Sequence, residues 1–192
     1  MENRHIAFSP PDITEEEIAE VADTLRSGWI TTGPKTKKFE NEIAAFCHTS
    51  KAVCLNSATA CAEMSLRVLG IGPGDEVITS AYTASASVAV HVGATLVLVD
   101  TQPDSYEMDY EKLESAITEK TKAIIPVDLG GVICDYDKIY DIVEKKKSLF
   151  RPSTEIQKKM GRIAVVADGA HAFGATKNGK HSGEIADFTS FS

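Results

Sequence analysis

From Glu76 to Val99 the chain reads EVITSAYTASASVAVHVGATLVLV. Two short runs rich in Val, Ile and Leu, at 76–79 and 95–99, flank a segment long enough for a helix, which is the pattern of a strand–helix–strand unit. The same beat continues outward. Apolar runs at 52–55, 123–127 and 163–167 are again separated by helix-length segments, among them 110–117, with Leu113, Ala116 and Ile117, and 136–147. Strand and helix alternate five times, and connections of this length allow right-handed crossovers. The expected fold is therefore α/β: a mainly parallel, doubly wound sheet with helices on both faces.

Before the sheet the period is helical. Thr14 precedes Glu17 at capping-box spacing, and Ile18, Val21, Ala22 and Leu25 recur at helical intervals until Gly28 stops them. Pro34 opens a second helix with Phe39, Ile43 and Phe46 on one face. The chain thus divides into a helical segment, 1–50, and a sheet-bearing domain, 51–192. Residues 149–161, with Pro152, Ser153 and several charges, read as a surface excursion. Residues 187–192 alternate polar and apolar like a strand and stop without a turn or cap, so a longer polypeptide is expected.

Length and composition narrow the function. The 192 residues are 43% hydrophobic and 25% charged, values of an ordinary globular protein. A net charge of −8 without a clustered basic face argues against nucleic acid as a partner. The longest basic run, Lys145 to Lys147, ends a helix pattern, where positive charge complements the helix dipole. Cys47, Cys54, Cys61 and Cys134 form no CxxC pair and no metal-ligand spacing occurs, so reduced, mostly buried thiols and no metal are expected. Met1 to Ser9 is polar, and no apolar stretch is long enough to span a bilayer. A cytoplasmic location without membrane attachment is expected.

Chemistry is sought beyond the carboxyl ends of the strands. At Asn56-Ser57-Ala58-Thr59-Ala60 small residues and hydroxyls open a helix, fit for an anion at the positive helix end or for an ordinary N-cap. After the run at 163–167, Asp168-Gly169-Ala170-His171 offers a carboxylate that could pair with a cationic ring nitrogen, bind a metal or a ribose, or merely cap the turn. His171 alone reads more readily as a hydrogen-bonded structural histidine, as does His91 in its apolar helix pattern. In Ser80-Ala81-Tyr82-Thr83 the aromatic ring could stack on a planar cofactor, with core packing the commoner use. Gly70-Ile71-Gly72-Pro73-Gly74-Asp75 follows a helix and leads into a strand, the reverse of the dinucleotide-binding order, and is a turn. Walker A, HExxH and GxSxG sequences are absent.

In order and spacing, the stretches at 27–34, 56–60, 72–78, 93–95 and 168–174 together resemble the DegT/DnrJ/StrS family of pyridoxal-phosphate-dependent sugar aminotransferases, fold-type I enzymes. The resemblance runs over essentially the whole chain. It implies that Ala58, Thr59 and Ala60 hold the phosphate of pyridoxal 5′-phosphate, with Ala58 where the family commonly has Gly. It implies that Tyr82, eleven positions before Gly93, stacks on the pyridine ring, that Asp168 pairs with the pyridine nitrogen and that His171 lies beside the ring. Ser192 falls on the serine that precedes the family's catalytic lysine.

That lysine would follow about five residues later, beyond Ser192. Lys177 and Lys180, in a turn with Asn178 and Gly179, match no family lysine. The resemblance therefore implies the incomplete large domain of a sugar aminotransferase, inactive alone, without the C-terminal small domain, and with segment 1–50 contributing to the active-site entrance. It further implies an amino-acid donor, glutamate above all, a nucleotide-linked keto-sugar acceptor and a homodimer. A sugar 3-dehydratase of the same fold, with histidine for the lysine, and a non-catalytic regulatory homologue are the alternatives.

Overall fold

The computed structural model describes residues 10–82 and 84–192; the polar start 1–9 and Thr83 lie outside them. Helix α1 (Glu15–Ser27) opens with the reciprocal Thr14–Glu17 capping box and closes at Gly28, whose φ of 72° is the left-handed conformation that ends a helix cheaply only in glycine. Helix α2 (Pro34–Phe46) begins on proline, as expected. Lys35 of α2 ties the two together through Glu20 and Asp23 of α1, at 2.7 and 2.8 Å. Neither helix buries a residue: Ile18, Val21, Leu25 and Phe39 are each more than half exposed.

The run 52–55 does not form a strand. The run is apolar, but a strand needs a ladder partner, and among the described residues it has none. The N–H of Cys54 instead donates to the Glu40 carboxylate of α2 at 2.9 Å.

From there the expected alternation holds: α3 (Ala58–Val68), β1 (Glu76–Ser80), α4 (Ala86–His91), β2 (Thr95–Val99), α5 (Tyr110–Ala116), β3 (Thr121–Ile125) and α6 (Tyr136–Lys145). Three elements come next: α7 (Glu155–Met160), β4 (Ala164–Asp168), and a small hairpin of β5 (Thr176–Lys177) and β6 (Lys180–His181). The last is β7 (Phe188–Ser190). Asn178 and Gly179, at φ 54° and 77°, make the two-residue hairpin turn that both positive angles require. The main sheet is parallel throughout, in the order β2-β1-β3-β4-β7.

Alternate strand residues feed two cores. Val77, Ala123, Ile125, Ala164 and Val166 pack with α3 and α4, whereas Ile78, Ile124 and Val165 pack with α5 and α6. A sheet buried on both faces reads as continuous apolar runs, which is why its strands were legible. The excursion at 149–161 is more ordered than expected. Thr154 caps α7, and the buried Gln157 sends its amide to the Leu69 carbonyl at 2.9 Å, docking α7 on the end of α3. The Thr154-x-x-Gln157 spacing was the overlooked signal.

Candidate active site

The chain runs from β1 outward to β2 and then back across β1 to β3, so the order reverses between β1 and β3. A crevice opens at such a reversal beyond the carboxyl ends of the strands. Here it is a cavity of about 410 Å³, within the size range of small-molecule sites. A more open groove of about 670 Å³ beside β2 is crossed by Lys112, which pairs with Asp100 and Asp109 at 3.5 and 3.4 Å. No other feature there suggests chemistry.

Five segments meet at the cavity. The first turn of α3 supplies Ser57, Ala58 and Thr59; the segment after β1 supplies Tyr82 and Ser85; the segment after β3 supplies Val127 and Leu129. The last residue of β4 supplies Asp168, the turn after it His171, and the segment past β7 Ser192. Ala60 does not line it, and its N–H is held by the Ser57 hydroxyl at 3.1 Å. The first turn of a helix leaves its other N–H groups without intrahelical partners, so those of Ala58 and Thr59 are available at the positive end of α3. Tyr82 is not a core residue. It is 60% exposed at the cavity, and its ring leans on Tyr106 with centroids 5.2 Å apart.

Asp168 ends β4, half-buried, and its carboxylate has two donors. Ala170 N–H gives to Oδ1 at 3.1 Å, and the Ser85 hydroxyl gives to Oδ2. On His171, Nδ1 accepts from Gly130 N–H at 3.4 Å, which leaves Nε2 to carry the ring proton. His91, by contrast, sits on the surface, 3.0 Å from Glu63. Among the described residues no lysine lines the cavity; Lys177 bonds the Ile133 carbonyl at 2.9 Å on the hairpin. Nor does any cluster there have the makings of a metal site.

A buried carboxylate braces the floor. Asp128 accepts from Cys134 N–H at 3.0 Å, from the Tyr136 hydroxyl at 3.1 and 3.2 Å, and from Ser182 at 3.4 Å. Burial pushes its pKa above the ordinary carboxylate value and those of Tyr136 and Cys134 upward as well. This network pins the turn that carries Leu129 and Gly130 against His171. On the other side, Phe46 stacks on Phe173 at 5.0 Å, which docks the end of α2 beside the 168–174 turn.

Leu129, Ser85 and Asp128 were missed from sequence. Ser85 lies just past the stretch after β1 that drew attention, and nothing in a lone leucine or in a single aspartate marks either as part of a site.

No helix among the described residues is long and apolar enough to cross a membrane, and the four cysteines are free, Cys47 and Cys134 buried and the other two half-buried. Compared with known proteins, residues 11–192 match the profile of the DegT/DnrJ/EryC1/StrS aminotransferase family. The chain is 41% identical over 192 residues to the spore coat polysaccharide biosynthesis protein SpsC of Bacillus subtilis, covering 99% of the chain and 46% of that protein. It is also 41% identical to a UDP-4-amino-4-deoxy-L-arabinose–oxoglutarate aminotransferase of Shewanella sediminis, covering 96% and 44%. The pyridoxal-phosphate form of a sugar aminotransferase of Streptococcus pneumoniae superposes with a TM-score of 0.97 at 61% identity, covering 98% of this chain and 49% of that one. The chain spans about half the length of these relatives. Its fold is the parallel-sheet large domain of fold-type I aminotransferases. With its profile matched over residues 11–192, the chain belongs to the DegT/DnrJ/EryC1/StrS aminotransferase family.

Proposed function

We propose that this chain is the cofactor-binding portion of a pyridoxal-phosphate-dependent enzyme that moves an amino group from glutamate to a nucleotide-linked keto-sugar destined for a cell-surface polysaccharide. One observation carries the reading. The positive end of α3 and the carboxylate of Asp168 face the same cavity, an arrangement suited to a ligand with an anionic group at one end and a protonated ring nitrogen at the other. Pyridoxal phosphate has both. When bound, it supplies an electron sink conjugated to the carbon that gains or loses the amino group.

The residues divide the work. Ala58 and Thr59 offer N–H groups, and Thr59 a hydroxyl, to the phosphate, and the small Ala58 side chain permits close approach. Tyr82 covers one ring face and fixes its tilt. Asp168 accepts the proton-bearing ring nitrogen and stabilises its charge. His171 and Ser192 line the rim. The lysine that moves the proton at the substrate carbon comes from sequence that this chain does not contain, and the share of each relative that is covered supports this. The relatives' names support polysaccharide sugars and, through oxoglutarate, glutamate as donor. Segment 1–50 forms part of the entrance, and the exposed apolar stripe of α1 and α2 suits a second copy, giving a homodimer. Free cysteines suit the reducing cytoplasm.

Asp168→Ala, made in the complete polypeptide, tests the reading with glutamate and a UDP-linked 4-keto-sugar. Removing a group that stabilises charge in an enclosed site costs ~3 kcal/mol, a rate loss of about a hundredfold. A rate within a few-fold of wild type at normal cofactor content would overturn it.

A further inference from the structure

Ser85 stands at the N-cap of α4, the position where serine ordinarily turns its hydroxyl onto the first free N–H groups of its own helix. Here it does not. The backbone is helical, at φ −60° and ψ −18°, and the side chain makes no capping bond. The hydroxyl crosses instead to the Oδ2 of Asp168, 83 residues away and on another strand. Ser85 is 4% exposed, so this bond is shielded from water, and the partner is a carboxylate that can only accept. A residue at a capping position that turns its hydroxyl to a half-buried carboxylate gives up the stabilisation an N-cap lends its own helix. The geometry supplies a return.

We propose that Ser85 is a positioning residue for the cofactor: its hydroxyl fixes the Asp168 carboxylate in the rotamer that meets the ring nitrogen. The proposal rests on the pyridoxal-phosphate reading of the cavity. Asp168 has one donor on each oxygen, Ala170 N–H on Oδ1 and Ser85 on Oδ2. Ala170 lies two residues along the same turn and moves with it, whereas Ser85 belongs to the β1 side of the crevice. Ser85 is thus the contact that locks the carboxylate plane across the crevice, and each oxygen keeps a lone pair for a ligand. Without it only Ala170 N–H, from within the same turn, holds the carboxylate, and the ring nitrogen meets it in fewer of its orientations.

The test uses the complete polypeptide and two probes: pyridoxal phosphate, and its 1-deaza analogue in which C–H replaces the ring nitrogen. Affinities are read by absorbance and fluorescence titration, without turnover. Ser85→Ala should weaken pyridoxal phosphate about tenfold, the loss of one hydrogen bond to a charged group, and leave the deaza analogue unchanged. Ser85→Thr, which keeps the hydroxyl, should restore the wild-type difference between the probes. If the alanine variant fails to fold, Ser85→Cys, which keeps the volume but donates weakly, takes its place. An equal loss for both probes would make Ser85 a support of α4 only, and no loss for either would make the bond inconsequential; both overturn the proposal. Asp168→Ala separates this failure from that of the underlying reading. If it leaves the preference for pyridoxal phosphate over the deaza analogue intact, Asp168 does not meet the ring nitrogen.

Discussion

Asp128→Ala should be among the most damaging single changes in the chain, although Asp128 does not line the cavity. The carboxyl is 1% exposed and accepts two well-placed donors, Cys134 N–H at 3.0 Å and the Tyr136 hydroxyl at 3.1 Å, with Ser182 further off at 3.4 Å. Alanine leaves both close donors buried without partners, at about 1–3 kcal/mol each. The variant also removes a carboxyl group whose burial is unfavourable, so the expected loss is about 2–4 kcal/mol rather than the full sum. Urea unfolding followed by far-ultraviolet circular dichroism would read it as a lower midpoint at constant slope. A loss below about 1 kcal/mol would mean that the network is not what holds the Leu129 turn. Asp128→Asn adds a pH test. Burial raises the folded-state pKa, so the native carboxyl binds its proton more tightly than the unfolded one. Its contribution is complete below the unfolded value of about 4 and is lost as pH rises through the folded value. Wild type should therefore lose stability relative to Asp128→Asn across that interval, and a gap independent of pH would refute burial as the dominant influence.

The phosphate turn and the exposed helices give further tests. Ala58→Leu should block close approach and weaken pyridoxal phosphate binding, followed by visible absorbance; unchanged affinity would return residues 57–60 to helix capping alone. Thr59→Ala should cost cofactor affinity, and normal affinity would remove its hydroxyl from the phosphate site. Charging the α1 stripe with Val21→Asp and Leu25→Asp together should shift a dimer toward monomer in light scattering after size exclusion, while α1 stays helical; an unchanged mass would remove that stripe from the interface.

What was legible followed from which physical signals are local. The strands of the doubly covered sheet announce themselves, because burial on both faces leaves uninterrupted runs such as Ala123-Ile124-Ile125. Caps are equally local: Thr14 with Glu17, Pro34 and Gly28 set the ends of α1 and α2 where the structure has them. The run 52–55 misled because a short apolar run is silent about its neighbours, and here Glu40 meets the Cys54 N–H in place of a ladder. At the candidate site, Asp168, His171, Tyr82, Thr59 and Ala58 could be found because each lies at or within three residues of a strand's carboxyl end or in a helix's first turn. Ser85 and Asp128 could not, since what distinguishes them is a partner 83 residues distant in one case and a buried network closed by Ser182 in the other.

The placement of Asp168 shows how little freedom the sheet leaves to the site. Along β4, Ala164 and Val166 enter one core while Val165 and Ala167 enter the other, and Asp168 is the first residue past them. Its N–H bonds the Pro126 carbonyl at 2.9 Å, its carbonyl takes the Asp128 N–H at 2.9 Å, and the next N–H, of Gly169, bonds Ser190 at 2.8 Å. The backbone is therefore held from both neighbouring strands. A slip of β4 by one residue would exchange the two apolar sets between faces and turn the carboxylate away from α3 at the same time. The residues that bury the sheet on both sides thus also aim Asp168 into the crevice, and the only adjustable part left is the rotation of its carboxylate.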